Sequence, residues 1–100
     1  MDYQVVLSLS ARKDLRDIVR YISVDAPDRA LNFGQFLVLR TKTLARFPEL
    51  GRIVPEFNDK LIREIVVRSY RVIYRVDHEN RLIEVVRFWH GARGIPDLRG

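Results

Sequence analysis

Five side chains in the second half of the chain have the types and spacing of a metal-free phosphodiester site. These are Glu64, Arg71, Arg75, Glu84 and His90. Cleaving RNA without a metal needs a base for the ribose 2′-OH, cations for the phosphate and an acid for the leaving oxygen. Arg71 and Arg75 suit the phosphate, with Arg52 or Arg63 entering from the rim and Arg93 following close behind. His90 is the ring near the arginines whose ordinary pKa lies close to neutrality. Glu64 or Glu56 suits the base if burial raises its pKa, an effect that neighbouring arginines oppose. The same residues have a plainer reading. Arg75 and Glu84 form a cross-strand ion pair, Glu64 and Arg71 a diagonal one, and His90 hydrogen-bonds backbone at a strand end.

Composition narrows the chemistry. The chain has 100 residues, 47% apolar and 31% charged, which suits one folded domain over residues 1–100. Cysteine is absent, so disulfides, thiolate metal sites and cysteine nucleophiles are excluded together. Two separated histidines and no cluster of aspartates argue against a metal site, and nothing in the motifs calls for a cofactor. Gly-rich phosphate loops and Ser–His–Asp patterns are also absent. No apolar run approaches the ~20 residues of a membrane span. Met1-Asp2-Tyr3 does not read as a signal peptide, and the expectation is a cytoplasmic protein. Eighteen basic residues, fifteen of them arginine, face thirteen acids and give a net charge of +5. Arginine's planar fork suits phosphates and carboxylates, so a polyanion or an acidic partner chain fits this balance.

The elements that must position these residues follow from periodicity. Tyr3–Leu9 is short and rich in valine and leucine and reads as a strand, with Ser10 as the N-cap of a helix. Ala11, Leu15, Ile18, Val19 and Ile22 form its apolar stripe, and Arg12, Lys13, Arg16, Asp17 and Arg20 its polar face. Asp25-Ala26-Pro27 ends it, and Pro27 opens a second helix whose apolar face runs through Ala30, Phe33, Phe36, Leu37, Leu44 and Phe47 to Pro48. Residues 49–60 read as a long loop broken by Gly51 and Pro55. Ile62–Val67, Tyr70–Asp77 and Leu82–Trp89 then form an antiparallel meander, with turns at Arg68-Ser69 and Glu79-Asn80. The fold class is therefore α+β: an N-terminal strand, a two-helix antiparallel hairpin and a three-strand antiparallel meander. With two-residue turns, Tyr70, Val72, Tyr74, Val76, Ile65, Val67, Ile83, Val85 and Trp89 face the helices. Arg71, Ile73, Arg75, Ile62, Glu64, Val66, Glu84, Val86, Phe88 and His90 share the uncovered face. Arg63 and Arg87 fall on the helix side and must escape at the sheet's ends.

This order of elements, with FPELGRIVPE (Phe47–Glu56), IREIVV (Ile62–Val67), YRVIYRV (Tyr70–Val76) and VVRFWHGAR (Val85–Arg93), resembles the RelE/ParE superfamily of bacterial type II toxins. The resemblance runs from about Leu7 to Arg93. It implies a cytosolic toxin neutralised by a cognate antitoxin that wraps it. RelE-like members cut mRNA in the ribosomal A site, and for that branch the resemblance implies Arg71 on the phosphate and His90 near a catalytic position. The chain departs from the branch in two places. Glu64 stands where some members have lysine, and no tyrosine follows Tyr74. The HGAR ending and the VPE loop look more like ParE, whose members act on DNA gyrase.

Three readings are carried forward: a ParE-like gyrase inhibitor, a RelE-like mRNA endonuclease, and a non-toxic relative acting only in the antitoxin complex. All three imply a toxin–antitoxin hetero-oligomer. Under the first two, the target is gyrase or the ribosome with its mRNA. The antitoxin is expected to fold onto the arginines of the sheet or onto Arg12, Arg16 and Arg20 of the first helix.

Overall fold

The computed structural model describes residues 2–99, so Met1 and Gly100 lie outside the described residues. Strand β1 covers Gln4–Leu7, helix α1 Leu9–Ser23 and helix α2 Pro27–Lys42. A 3₁₀ turn, Thr43–Ala45, leads to the short strand β2, Arg52–Ile53, which lies within the stretch expected to be loop and forms there by pairing antiparallel with β3. Strands β3 (Ile62–Val67), β4 (Tyr70–Asp77) and β5 (Leu82–His90) follow. A second 3₁₀ turn covers Gly91–Arg93. The sheet order is β1-β5-β4-β3-β2. The meander is antiparallel as expected, and β1 adds to its far edge in parallel with β5.

Three boundaries differ from the sequence expectation. Strand β1 stops two residues early, because Ser8, not Ser10, caps α1. Its backbone is extended and its Oγ accepts from the Ala11 N–H at 3.0 Å, satisfying one of the orphan donors of the first turn. Helix α2 gives way to the 3₁₀ turn before Phe47, which is left exposed rather than packed on the helical stripe. The β4–β5 connection is a four-residue loop, 78–81, that keeps the expected register with Asp77 opposite Leu82.

The helices cover one face of the sheet. Ala11 and Ile18 of α1, Leu37 of α2, and Leu44 pack on Ile65, Val67, Val72, Tyr74, Val76, Ile83 and Val85. The two helices approach closely at Gly34, where a Cβ would lie 2.7 Å from a Val19 methyl. No helix is long and apolar enough to cross a membrane, among the described residues.

The second face is not bare. Val54, Ile73, Val86 and Trp89 form a smaller cluster there, flanked by Phe57, Ile62 and Leu98. The loop after β2 and the C-terminal segment therefore cover part of the surface that the sequence leaves open. A bulge produces the largest correction. Tyr74 lies opposite Val85, but Ile73 lies opposite Arg87, so Val86 is an extra residue. One extra residue reverses the facing of everything after it. Phe88 joins the helix-side core, Trp89 moves to the other face, and His90 pairs with Tyr70 on the helix side.

Candidate functional site

Glu64, on β3, sits beside Arg52 of β2 and diagonal to Arg71 of β4. Its side chain is fully buried. Arg52 Nε donates to Glu64 Oε2 at 2.7 Å, and Arg71 Nε donates to Glu64 Oε1 at 2.6 Å. The other end of the Arg71 fork is taken by Glu56, with Nη1 donating to Oε2 at 2.8 Å and Nη2 to Oε1 at 2.7 Å. Two guanidinium groups and two carboxylates thus form one chain whose formal charges cancel. Hydrogen bonds from Arg71 hold the Glu56 carboxyl down at about 2. Glu56 and then Glu64 push the Arg71 guanidinium further above its ordinary value.

Local sequence explains how this cluster is held. Glu56 rides on a turn in which Phe57 and Asn58 N–H both donate to the Val54 carbonyl, at 3.2 Å each. Asn58 adopts φ 48°, a left-handed conformation that asparagine tolerates well, and buried Val54 anchors the turn to Ile73. On the helix side, the Tyr74 hydroxyl accepts from the Gly51 N–H at 2.9 Å and donates to the Pro48 carbonyl at 2.8 Å. Tyr74 therefore ties the FPELGR segment to the YRVIYRV strand, which gives those two motifs a shared physical reason. Burial raises the Tyr74 pKa. Glycine is required at 51, since a Cβ there would lie 2.4 Å from the Glu64 carbonyl oxygen.

The remaining expected site residues do not gather around Arg71. Arg63 lies opposite Tyr74, on the helix side, and leaves at the sheet's end as expected, donating to the carbonyls of Gly51 and Lys60 at 2.9 and 3.1 Å. Arg75 pairs with Glu84 across the strands at 3.4 Å, half exposed on both sides. The Arg93 guanidinium stacks 3.9 Å from the Trp89 ring centroid. His90 is turned away from the phosphate arginines by the bulge and meets the Tyr70 ring edge-on, with centroids 5.2 Å apart. Its Nδ1 accepts from the Ala92 N–H at 3.1 Å. Uniting Arg71, Arg75, Phe88 and His90 on one face is therefore wrong for the last two, and the surface is partly covered.

Asp14 is the residue that sequence reasoning passed over. It is buried on α1 and accepts from Arg87 Nε and Nη2 at 2.7 and 2.8 Å and from the Phe88 N–H at 3.0 Å. Ser8 Oγ donates to the Val86 carbonyl at 3.1 Å. The backbone groups freed at the bulge thus find partners at the start of α1. Asp14 raises the Arg87 pKa. A signal was present: Asp14 is in phase with Ala11 and Ile18 on the apolar stripe, and Arg87 is an arginine out of phase in its strand. Two opposite charges, each misplaced in its own pattern, point to each other.

Solved structures share this fold at low sequence identity. A chain of the chromosomal ParDE toxin–antitoxin system of P. aeruginosa superposes with a TM-score of 0.74 and 21% identity, over 88% of this chain and 95% of that one. The RelBE2 toxin–antitoxin complex of Mycobacterium tuberculosis gives 0.66 and 22%, over 90% and 99%. An E. coli RelE mutant in the free state gives 0.67 and 18%, over 94% and 88%. No curated protein matches the sequence. A family model, ParE toxin of type II toxin–antitoxin system, matches residues 5–95, and the chain belongs to that family.

Proposed function

We propose that this toxin acts as ParE-like members do, by binding and inhibiting DNA gyrase in the cytoplasm, and that it does not cut mRNA. The observation that carries the reading is the enclosure of Arg71 by Glu56 and Glu64. A phosphate-binding arginine must offer its fork to the incoming anion, and here carboxylates occupy it. A phosphate approaching Arg71 also meets a cluster whose formal charges already cancel. His90, the candidate acid, is on the opposite face beside Tyr70. These placements support a protein that works through its surface, with a cognate antitoxin as its neutralising partner.

The test is induced expression in bacteria joined to a supercoiling assay with purified gyrase. Loss of supercoiling with filamentation and intact transcripts is the expected result. Transcripts cut within codons, and cutting abolished by Arg71→Ala or His90→Ala, would overturn the reading in favour of the endonuclease. Normal growth despite abundant folded protein would favour a non-toxic family member.

A further inference from the structure

Helix α2 carries a second stripe on the side away from the core. Leu31 and Leu39 are 59% and 60% exposed, and Asp28, Gln35 and Lys42 are exposed on the same line. At about 100° per residue, these five positions fall within roughly 80° of one another around the helix. Their steps, three, four, four and three, read the same in either direction. Turned end for end about Gln35, the helix therefore lays Asp28 on Lys42, Leu31 on Leu39 and Gln35 on itself. A groove of about 480 Å³ runs beside the stripe, with Val38 on one side and Leu15 and Val19 of α1 on the other. Among the described residues, Asp28, Gln35 and Lys42 have no ion pair or side-chain hydrogen bond within the molecule.

We propose that this face seats a second copy of the chain, with α2 packed antiparallel on α2 about a two-fold axis at Gln35. Each Leu31 meets the second copy's Leu39, and the two Gln35 amides hydrogen-bond across the axis. Asp28 and Lys42 close both ends as ion pairs. Charge sets the register. A parallel pair would lay Asp28 on Asp28 and Lys42 on Lys42, and an unrelated apolar helix would cover Gln35 without giving its amide a partner. Arg12, Arg16 and Arg20 flank Leu15 and Val19 on α1 and carry the same sign in both copies. That repulsion and the small contact keep the dimer weak, with a Kd of roughly 10–100 µM. The proposal rests on the fold alone and is independent of the gyrase reading.

The experiment is sedimentation equilibrium of the free full chain from about 1 to 300 µM, a range that brackets this Kd. A concentration-dependent monomer–dimer equilibrium is expected. Leu31→Glu, at an exposed site, should weaken it about a hundredfold, because both leucine contacts then bury a carboxylate. Asp28→Lys and Lys42→Asp should each weaken it about tenfold, since either one turns both end pairs repulsive. An equimolar mixture of those two variants should dimerise again, because every Lys then meets an Asp. Where Asp28→Lys lowers the melting temperature through the helix dipole, Leu39→Glu repeats the Leu31→Glu test without touching the helix ends. Val24→Ser, at an exposed apolar site outside the stripe, should change nothing. A chain that stays monomeric throughout, leaving the face to an unrelated partner, would overturn the proposal. So would a dimer indifferent to Leu31→Glu and Leu39→Glu, folded charge variants that fail to pair when mixed, or an equal loss in Val24→Ser.

Discussion

Two buried carboxylates, Asp14 and Glu64, sit on opposite sides of the sheet and are used differently. Asp14 has a closed set of partners, the Arg87 fork and the Phe88 N–H, so it is bound to backbone as well as to a cation. It helps hold the bulge that decides which way the end of β5 faces. Glu64 instead sits inside a chain that runs outward through Arg71 to Glu56 on a loop and through Arg52 to solvent. It governs the availability of an arginine and leaves the chain path alone. An acid that satisfies backbone shapes a fold, whereas one that satisfies only side chains sets a local field.

The contrast can be broken most forcefully at Asp14. Asp14→Ala strands the largely buried Arg87 and the Phe88 amide, and should cost about 3–5 kcal/mol in urea unfolding. The Phe88 amide should also lose protection from hydrogen exchange. If it keeps its protection, Asp14 does not hold the bulge. Glu64→Gln should cost less, about 2–3 kcal/mol, because Arg71 keeps Glu56 and Arg52 reaches water. Backbone exchange in β5 should be unaffected.

A weaker effect concerns acid. The folded-state pKa of Glu56 lies at about 2, below its ordinary value of 4.5. Its stabilisation is therefore fully present above the ordinary value and is lost as pH falls from about 5 toward 2. Glu56 is partly exposed, so solvent screening holds the contribution to about 1 kcal/mol or less. Glu56→Gln should flatten that segment of the stability profile in urea titrations at fixed pH, and an unchanged slope would show that other carboxylates carry it. Smallest of all, Arg75→Ala removes an exposed 3.4 Å pair and should shift stability by less than about 0.5 kcal/mol.

Local patterns carried much of the architecture. The period-2 alternation of Tyr70–Val76 and Ile62–Val67 specified their facing, and the two-residue gap at Arg68-Ser69 set their register. The stripe of Ala11, Leu15, Ile18 and Ile22 specified α1, although one serine's difference in the cap was invisible because Ser8 and Ser10 offer the same chemistry. The Arg75–Glu84 pair was also legible as a cross-strand contact.

The arrangement of the site depended on contacts distant in sequence. A bulge at Val86 breaks no local rule of composition, since valine suits a strand either way. Its partners lie 73 or more positions back in the chain, at Asp14 and Ser8. Glu56 likewise reaches Arg71 through a loop that Val54 anchors across the sheet. By itself the amino-acid order determined the longer elements, their sequence along the chain and the resemblance to toxins, because those depend on neighbours a few residues apart, whereas the short strand β2 exists only through its pairing with β3. Only the tertiary structure decided which face His90 takes and how Arg71 spends its donors, because one residue of slippage or one distant carboxylate settles each.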